Sequence, residues 1–326
     1  MGSVVRYIAV SCILAMLSAC AIPVPTDPEY ASIDNKNLPK PDFSANVPGL
    51  SPCTNATNTT LHLNSNQPVT VIVHGCFGSA ALFRSLAQVF AFHEQQTVCF
   101  NYDDRDSLTQ SSTELVTALN TLSAKMRNHE MTVIGHSQGG LISRRALIKE
   151  RADRLDVQGQ NLTLVTISSP YAGIAAANHC GSTTIRWLTL GLVVPICQII
   201  SGDKWYEITN PSPFIQQPGS LIDQVGYHLK IVTDEQGTCR RFNEKGVCVE
   251  DDFVFSIKEQ YFDKVDNLNI VDNLEINAGH AEIVGDYQII PKKLIQILQD
   301  KQIMKNTPDA NKEQFSHLLR KIYSSQ

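Results

Sequence analysis

The sequence is short of charge, and what charge it has is scattered. Of its 326 residues 18% are Asp, Glu, Lys or Arg, with a formal balance of −5. No run of Lys and Arg stands out, so nothing supplies the electrostatic footprint of a nucleic-acid binder. No C-x-x-C pair occurs and no cysteine–histidine set has ligand spacing, which excludes a structural zinc site of the usual kind. No unit recurs at a fixed period, which excludes a solenoid. The apolar run at the amino end, about residues 7–17, falls short of the roughly 20 residues that a spanning helix needs. What remains is 43% hydrophobic, enough for one large core and at most two domains.

That first apolar run follows a single cation, Arg6, and ends in Leu17-Ser18-Ala19-Cys20. Its place and length are those of a secretory signal. The ending "LSAC" resembles the lipobox of bacterial lipoproteins. The resemblance implies that residues 1–19 are removed and that Cys20 is acylated as the first mature residue. Several acyl chains, at about 0.8 kcal/mol per buried methylene, hold a protein firmly to a bilayer. Ala21 after the cysteine, rather than Asp, implies the outer membrane of a Gram-negative bacterium. Residues 20–52 then read as the acylated cysteine and a tether. Seven of the fifteen prolines lie in residues 21–52, a density that favours extended chain. The globular domain is expected over residues 53–326.

Export permits disulfides. Of the nine cysteines, Cys12 and Cys20 belong to the leader and its end, which leaves seven. Seven is odd, so at least one thiol is free or pairs elsewhere. Cys239 and Cys248 flank a turn-like "RRFNEKG" and form the first expected pair; Cys180 and Cys197 form the second.

Within the domain, apolar β-branched runs alternate with helical spacing. "PVTVIVHG" (68–75), "TVCFNY" (97–102), "MTVIG" (131–135), "NLTLVTIS" (161–168) and "HLKIVT" (228–233) predict strands. Residues 79–93, 106–126 and 139–155 predict helices. Strands apolar throughout and separated by helices imply a parallel sheet covered on both faces. Gly135-His136-Ser137-Gln138-Gly139 falls between a strand and a helix. In that setting a G-x-S-x-G turn throws the serine out at the carboxyl edge of the sheet, against the positive end of the next helix. Ser137 is the expected nucleophile.

"VIVHGCFGS", "VIGHSQGG", "ISSPYAGIAAA" and "NAGHAEI", spread over about residues 66–300, resemble the α/β-hydrolase superfamily, in particular its bacterial lipases and esterases. The resemblance implies an α/β-hydrolase fold with eight mostly parallel strands and the chain order serine, acid, histidine. An insertion over about 173–225 would form an apolar cap. Its segment "IRWLTLGLVVPICQIISG" (185–202) has Arg186 as its one strong charge and must be buried in protein or meet lipid.

Serine needs a base. His280 is expected in that role, since it follows a strand-like run ("NLNIVD") and a glycine and precedes a helix. His179, His228 and His317 sit in the insertion, a strand and a polar terminal helix. The acid should follow the strand at 228–233. "EDDFVFSIKEQ" looks like the superfamily's Asp-x-apolar-Val segment and points to Asp251, with Asp252 and then Asp234 as alternatives. The oxyanion donors implied by "HGCFG" and the elbow are the backbone N–H groups of Cys76 and Gln138; His74 shapes the first of these loops. No metal or cofactor is required. Expected partners are an ester or lipid substrate and, through Cys20, a membrane. The expected reaction is cleavage of carboxylic esters of lipid or of medium to long acyl chains. A thioesterase, acyltransferase or amidase on the same triad, or a non-catalytic surface lipoprotein, are the alternatives.

Overall fold

A computed structural model describes residues 33–323 apart from 35, 77, 154, 156–158, 176–203, 205 and 287. The signal segment, Cys20, the apolar stretch 185–202 and the expected Cys180–Cys197 pair lie outside these residues.

Eleven strands are described: β1 (Phe43–Ala45), β2 (Leu50–Ser51), β3 (Leu61–Leu63), β4 (Val69–Val73), β5 (Gln96–Phe100), β6 (Glu130–His136), β7 (Asn161–Ile167), β8 (Val225–Asp234), β9 (Cys239–Phe242), β10 (Cys248–Asp251) and β11 (Val271–Asn277). Seven form one sheet in the order β11-β8-β7-β6-β4-β5-β2. It is parallel except for β2, which runs antiparallel to β5. Among the described residues the sheet therefore has seven strands, not eight.

The longer helices are α1 (Arg84–Phe92), α2 (Leu108–Ser123), α3 (Gln138–Ala146), α4 (Lys292–Asp300) and α5 (Lys312–Tyr323). Alternate residues of each central strand serve opposite faces. Val71 and Val73 pack with Leu115, Leu119, Leu141 and Ile142 of α2 and α3. Ile72 packs on the other face with Leu86, Val89 and Phe90 of α1 and with Leu294 and Leu298 of α4. A sheet buried on both sides needs apolar runs without polar alternation, and all of β4 is buried.

The chain goes from β4 to β5 on one side and then to β6 on the other. The carboxyl ends of β4 and β6 thus meet at the point where strand order reverses, which is where doubly wound sheets open a crevice for ligand.

Three boundaries differ from the sequence reading. Strand pairing begins before Cys53: β1 pairs with β3, and β2 pairs with β5. The packed domain therefore begins by about residue 43, because Leu50 and Ala45 are apolar side chains the core can bury. The helix expected over 139–155 stops at Ala146. Ile148 leaves it to form an antiparallel bridge with Leu221, and Arg144 caps the carbonyls of Pro218 and Gly219. The final strand is Val271–Asn277 rather than the run at 267–272.

Cys239 and Cys248 are bridged, as expected. A second bridge, Cys53–Cys99, was not anticipated; it ties the entering chain to β5, and the two cysteines are 46 residues apart. Closing a loop of that length restricts the unfolded chain by about 2–4 kcal/mol. Replacing both cysteines with alanine is expected to lower the stability read from urea titration by that amount. An unchanged midpoint would show that the bridge is idle.

Candidate active site

Ser137 closes β6 and opens α3 with φ 56° and ψ −125°, a left-handed conformation that non-glycine residues rarely adopt. Its N–H donates to the carbonyl of Ile167 at 2.8 Å. Two glycines make this turn possible. A Cβ on Gly135 would stand 2.4 Å from the carbonyl oxygen of Gly139, and one on Gly139 would stand 2.3 Å from that of Val73. Helix and strand can approach this closely only without those side chains.

The loop after β4 passes directly over the serine: a Cβ on Gly75 would lie 2.9 Å from Ser137 Cβ. Cys76 follows on that loop, and Gln138 is the first residue of α3. The loop is held from behind. The His74 ring stacks on Tyr102 at 4.3 Å, and the Tyr102 hydroxyl donates to the carbonyl of His74 at 2.7 Å. Buried Lys204 donates to Cys76 Sγ at 3.2 Å and to the carbonyl of Asp104. The Cys76 side chain is exposed.

His280 follows β11. Its Nδ1 lies 2.9 Å from Glu235 Oε1 and 2.9 Å from Ser168 Oγ. Its carbonyl meets Nε2 of His136, the residue before Ser137, at 3.0 Å, and the two rings are 4.7 Å apart. Burial first, and then the neighbouring His280, pull the His136 imidazole well below its usual range, so it stays neutral and can donate from Nε2. Phe255 packs edge-on against His280 at 4.9 Å.

Glu235 is the first residue after β8, and its side chain is fully buried. Its Oε1 accepts from Ser168 Oγ at 2.6 Å, and its Oε2 accepts from the N–H groups of Val254 and Phe255 at 2.6 and 2.8 Å. Burial alone would raise this carboxyl. The hydrogen bond and charge of His280, with the Ser168 and Phe255 donors, outweigh burial and hold it below its usual value. Ser168, at φ 48°, is the second strained residue of the site. It also lies 2.7 Å from Thr233 Oγ1.

The palmitoyl protein thioesterase family matches this chain over residues 68–217, a stretch that begins beside β4 and contains the elbow. The lipase BlEst2 of Bacillus licheniformis in its propeptide form superimposes with a TM-score of 0.51 at 14% identity, over 83% of this chain and 56% of that one. The chain has the α/β-hydrolase fold. The mature form of the same lipase gives a TM-score of 0.49 at 15% identity, over 74% of this chain and 94% of that one. Esterase B from Lactobacillus rhamnosis gives 0.45 at 11%, over 97% and 95%. No curated protein sequence matches.

In this α/β-hydrolase fold the acid beside His280 is Glu235, and none of the three aspartates expected there meets the ring. Asp251 is exposed at the end of β10 and accepts from the N–H of Phe253 at 3.0 Å. Asp234 ends β8. Side chains alternate along a strand, so Thr233 and Glu235 share the face toward His280 and Asp234 takes the other; its carboxylate accepts from the N–H of Gln236. Asp252 lies behind the histidine loop. Its carbonyl accepts from the N–H of His280 at 2.9 Å, and its carboxylate accepts from those of Ala281 and Glu282 at 2.9 and 2.8 Å.

Asp252 is thus a positioning residue for His280. Asp252→Ala frees the loop, and a misplacement of about 1 Å at a reacting group costs about 10²-fold in rate. The expected result is that fall in kcat with KM little changed and with fluorophosphonate labelling slowed but present. A rate near that of the unsubstituted protein would show that the loop holds itself.

Of the remaining histidines, His228 is buried in β8 with Nε2 2.9 Å from Thr166 Oγ1, and His317 lies on α5. His179 lies outside the described residues. Among those residues no group of His, Cys, Asp and Glu is arranged to hold a metal.

Proposed function

We propose that this protein is a serine hydrolase that cleaves esters or thioesters of medium to long acyl chains through Ser137, His280 and Glu235. The observation that carries the reading is the buried Glu235 carboxylate on His280 Nδ1, at the sheet edge where the strained Ser137 also stands. Glu235 fixes the tautomer, so that Nε2 is the free base, and stabilises the imidazolium once formed. Ser137 then attacks the acyl carbonyl as His280 takes its proton. The N–H groups of Cys76 and Gln138 are the donors expected to hold the oxyanion. His280 returns the proton to the leaving alcohol or thiol, and water activated the same way releases the acid from the acyl-enzyme.

The match to the palmitoyl protein thioesterase family over residues 68–217 favours a thioester of a long acyl chain. The apolar composition of residues 185–202 is in keeping with such a chain. We further propose that the protein is exported and anchored through acylated Cys20, which would keep it beside lipid. A fluorophosphonate probe tests for the activated serine. A series of p-nitrophenyl esters from acetyl to palmitoyl, run beside matched S-acyl thioesters, tests the rest. Higher kcat/KM for long thioesters than for long oxoesters selects the thioesterase form. A maximum at acetate would remove the long-chain assignment.

A further inference from the structure

Five of the six large hydrophobic residues that are exposed among the described residues fall within a single stretch: Phe242, Val247, Val249, Phe253 and Val254. Single exposed apolar residues are ordinary; a contiguous group is not. The first three belong to the β9–β10 hairpin, whose strands pair only with each other among the described residues. A hairpin of four-residue strands is marginal in water on its own, and this one is closed by the Cys239–Cys248 bridge. Its base is fastened to the body by Arg240 and Arg241, which meet Asp286 at 3.0 and 2.8 Å. The shape is thereby kept without burial, and the apolar side chains stay outside.

The stretch is also next to the site. The N–H of Val254 donates to Glu235, and Phe255 packs on His280.

We propose that the hairpin and the Phe253–Val254 segment form a docking surface for a lipid bilayer, with Phe242, Val247 and Val249 entering its apolar layer. Two observations favour a bilayer over a protein. A specific protein interface buries about 800 Å² on each partner, whereas this hairpin offers a few projecting side chains on narrow strands. A bilayer accepts such side chains without a complementary face. In addition, Cys20 stands 13 residues before Ile33, so a lipid there would keep the domain within about 45 Å of the membrane even with the chain fully extended. The cations at the hairpin base are already paired with Asp286 and Glu250. The tip adds one exposed charge of each sign, Glu244 and Lys245, which cancel; docking is therefore chiefly apolar, and it should proceed on zwitterionic lipid and persist in salt. The proposal concerns where the protein sits; it leans on the proposed hydrolysis only for its second readout.

The test uses the full chain with Phe242→Trp, mixed with phosphatidylcholine vesicles brominated along the acyl chains. The unsubstituted chain, which carries Trp187 and Trp205, is the baseline. The expected result is additional quenching that belongs to residue 242. The double variant Phe242→Ser, Val249→Ser should lower turnover of a vesicle-embedded ester by about tenfold, as expected from losing apolar burial, with turnover of a water-soluble ester unchanged. Absence of additional quenching overturns the proposal. So does a dimer in solution that Phe242→Ser abolishes, because the surface then covers a second copy. If the unsubstituted chain hydrolyses no soluble ester, the hydrolase reading fails while the quenching result still stands.

Discussion

Ser137→Ala is expected to abolish labelling by a fluorophosphonate and to lower kcat on the order of 10⁶-fold, the scale of losing a triad nucleophile. Folding should be unaffected. The strain at position 137 comes from its φ of 56°, which alanine shares, and the tight approach depends on Gly135 and Gly139 rather than on the serine hydroxyl. The measurement is single-turnover release from the best substrate of the ester series, with circular dichroism confirming equal folded content. Activity within about 10²-fold of the unsubstituted protein would remove Ser137 from the mechanism, since a defect of positioning alone costs about that much.

The second large effect separates Glu235 from Asp251. Glu235→Gln keeps the shape but removes the charge, and it lets an amide N–H face His280 Nδ1, which favours the wrong tautomer. A fall of about 10⁴-fold in kcat is expected. Asp251→Asn alters an exposed side chain whose one hydrogen bond is to its own hairpin end, and its rate should stay within about twofold, as for other surface changes. A larger loss from Asp251→Asn than from Glu235→Gln would restore the aspartate. Stability gives an independent reading. Because His280, Ser168 and Phe255 hold the Glu235 carboxyl below its usual value, its contribution is complete at neutral pH. It is lost as pH falls through and below the ordinary carboxylate range. Glu235→Gln should flatten the acid limb of a stability–pH curve.

The elbow was legible because everything that makes it lies within five residues between a strand and a helix. The βαβ order was legible for the same reason: each unit is local. His280 could be singled out even though its strand lies several residues from where the apolar run suggested, because only its loop combined a glycine, a preceding strand and a following helix. The acid was not legible in this way. Its identity rests on where β8 ends and on which face residue 235 takes, a matter of parity at a strand terminus. "TDEQG" offers an aspartate one residue ahead of the glutamate that meets His280, and a disulfide hairpin then adds two more aspartates before the histidine. The signal that could have found Glu235 is its alternation with Thr233. The early start of the domain was hidden because prolines dominate residues 21–52, while Leu50–Ser51 needs only two residues to extend the sheet.

The three residues of the proposed triad stand behind β6, β8 and β11, and β11 lies at one edge of the sheet, paired on one side only among the described residues. Asn273, Glu275 and Asn277 of β11 are exposed. Histidine placement therefore depends on an edge strand, whereas the serine sits at the centre of the sheet. Fraying of that margin would silence the protein while six strands still hold, so warming should take away turnover before it takes away the bulk of the β-sheet signal. Shelf life, in such a molecule, is decided at its border.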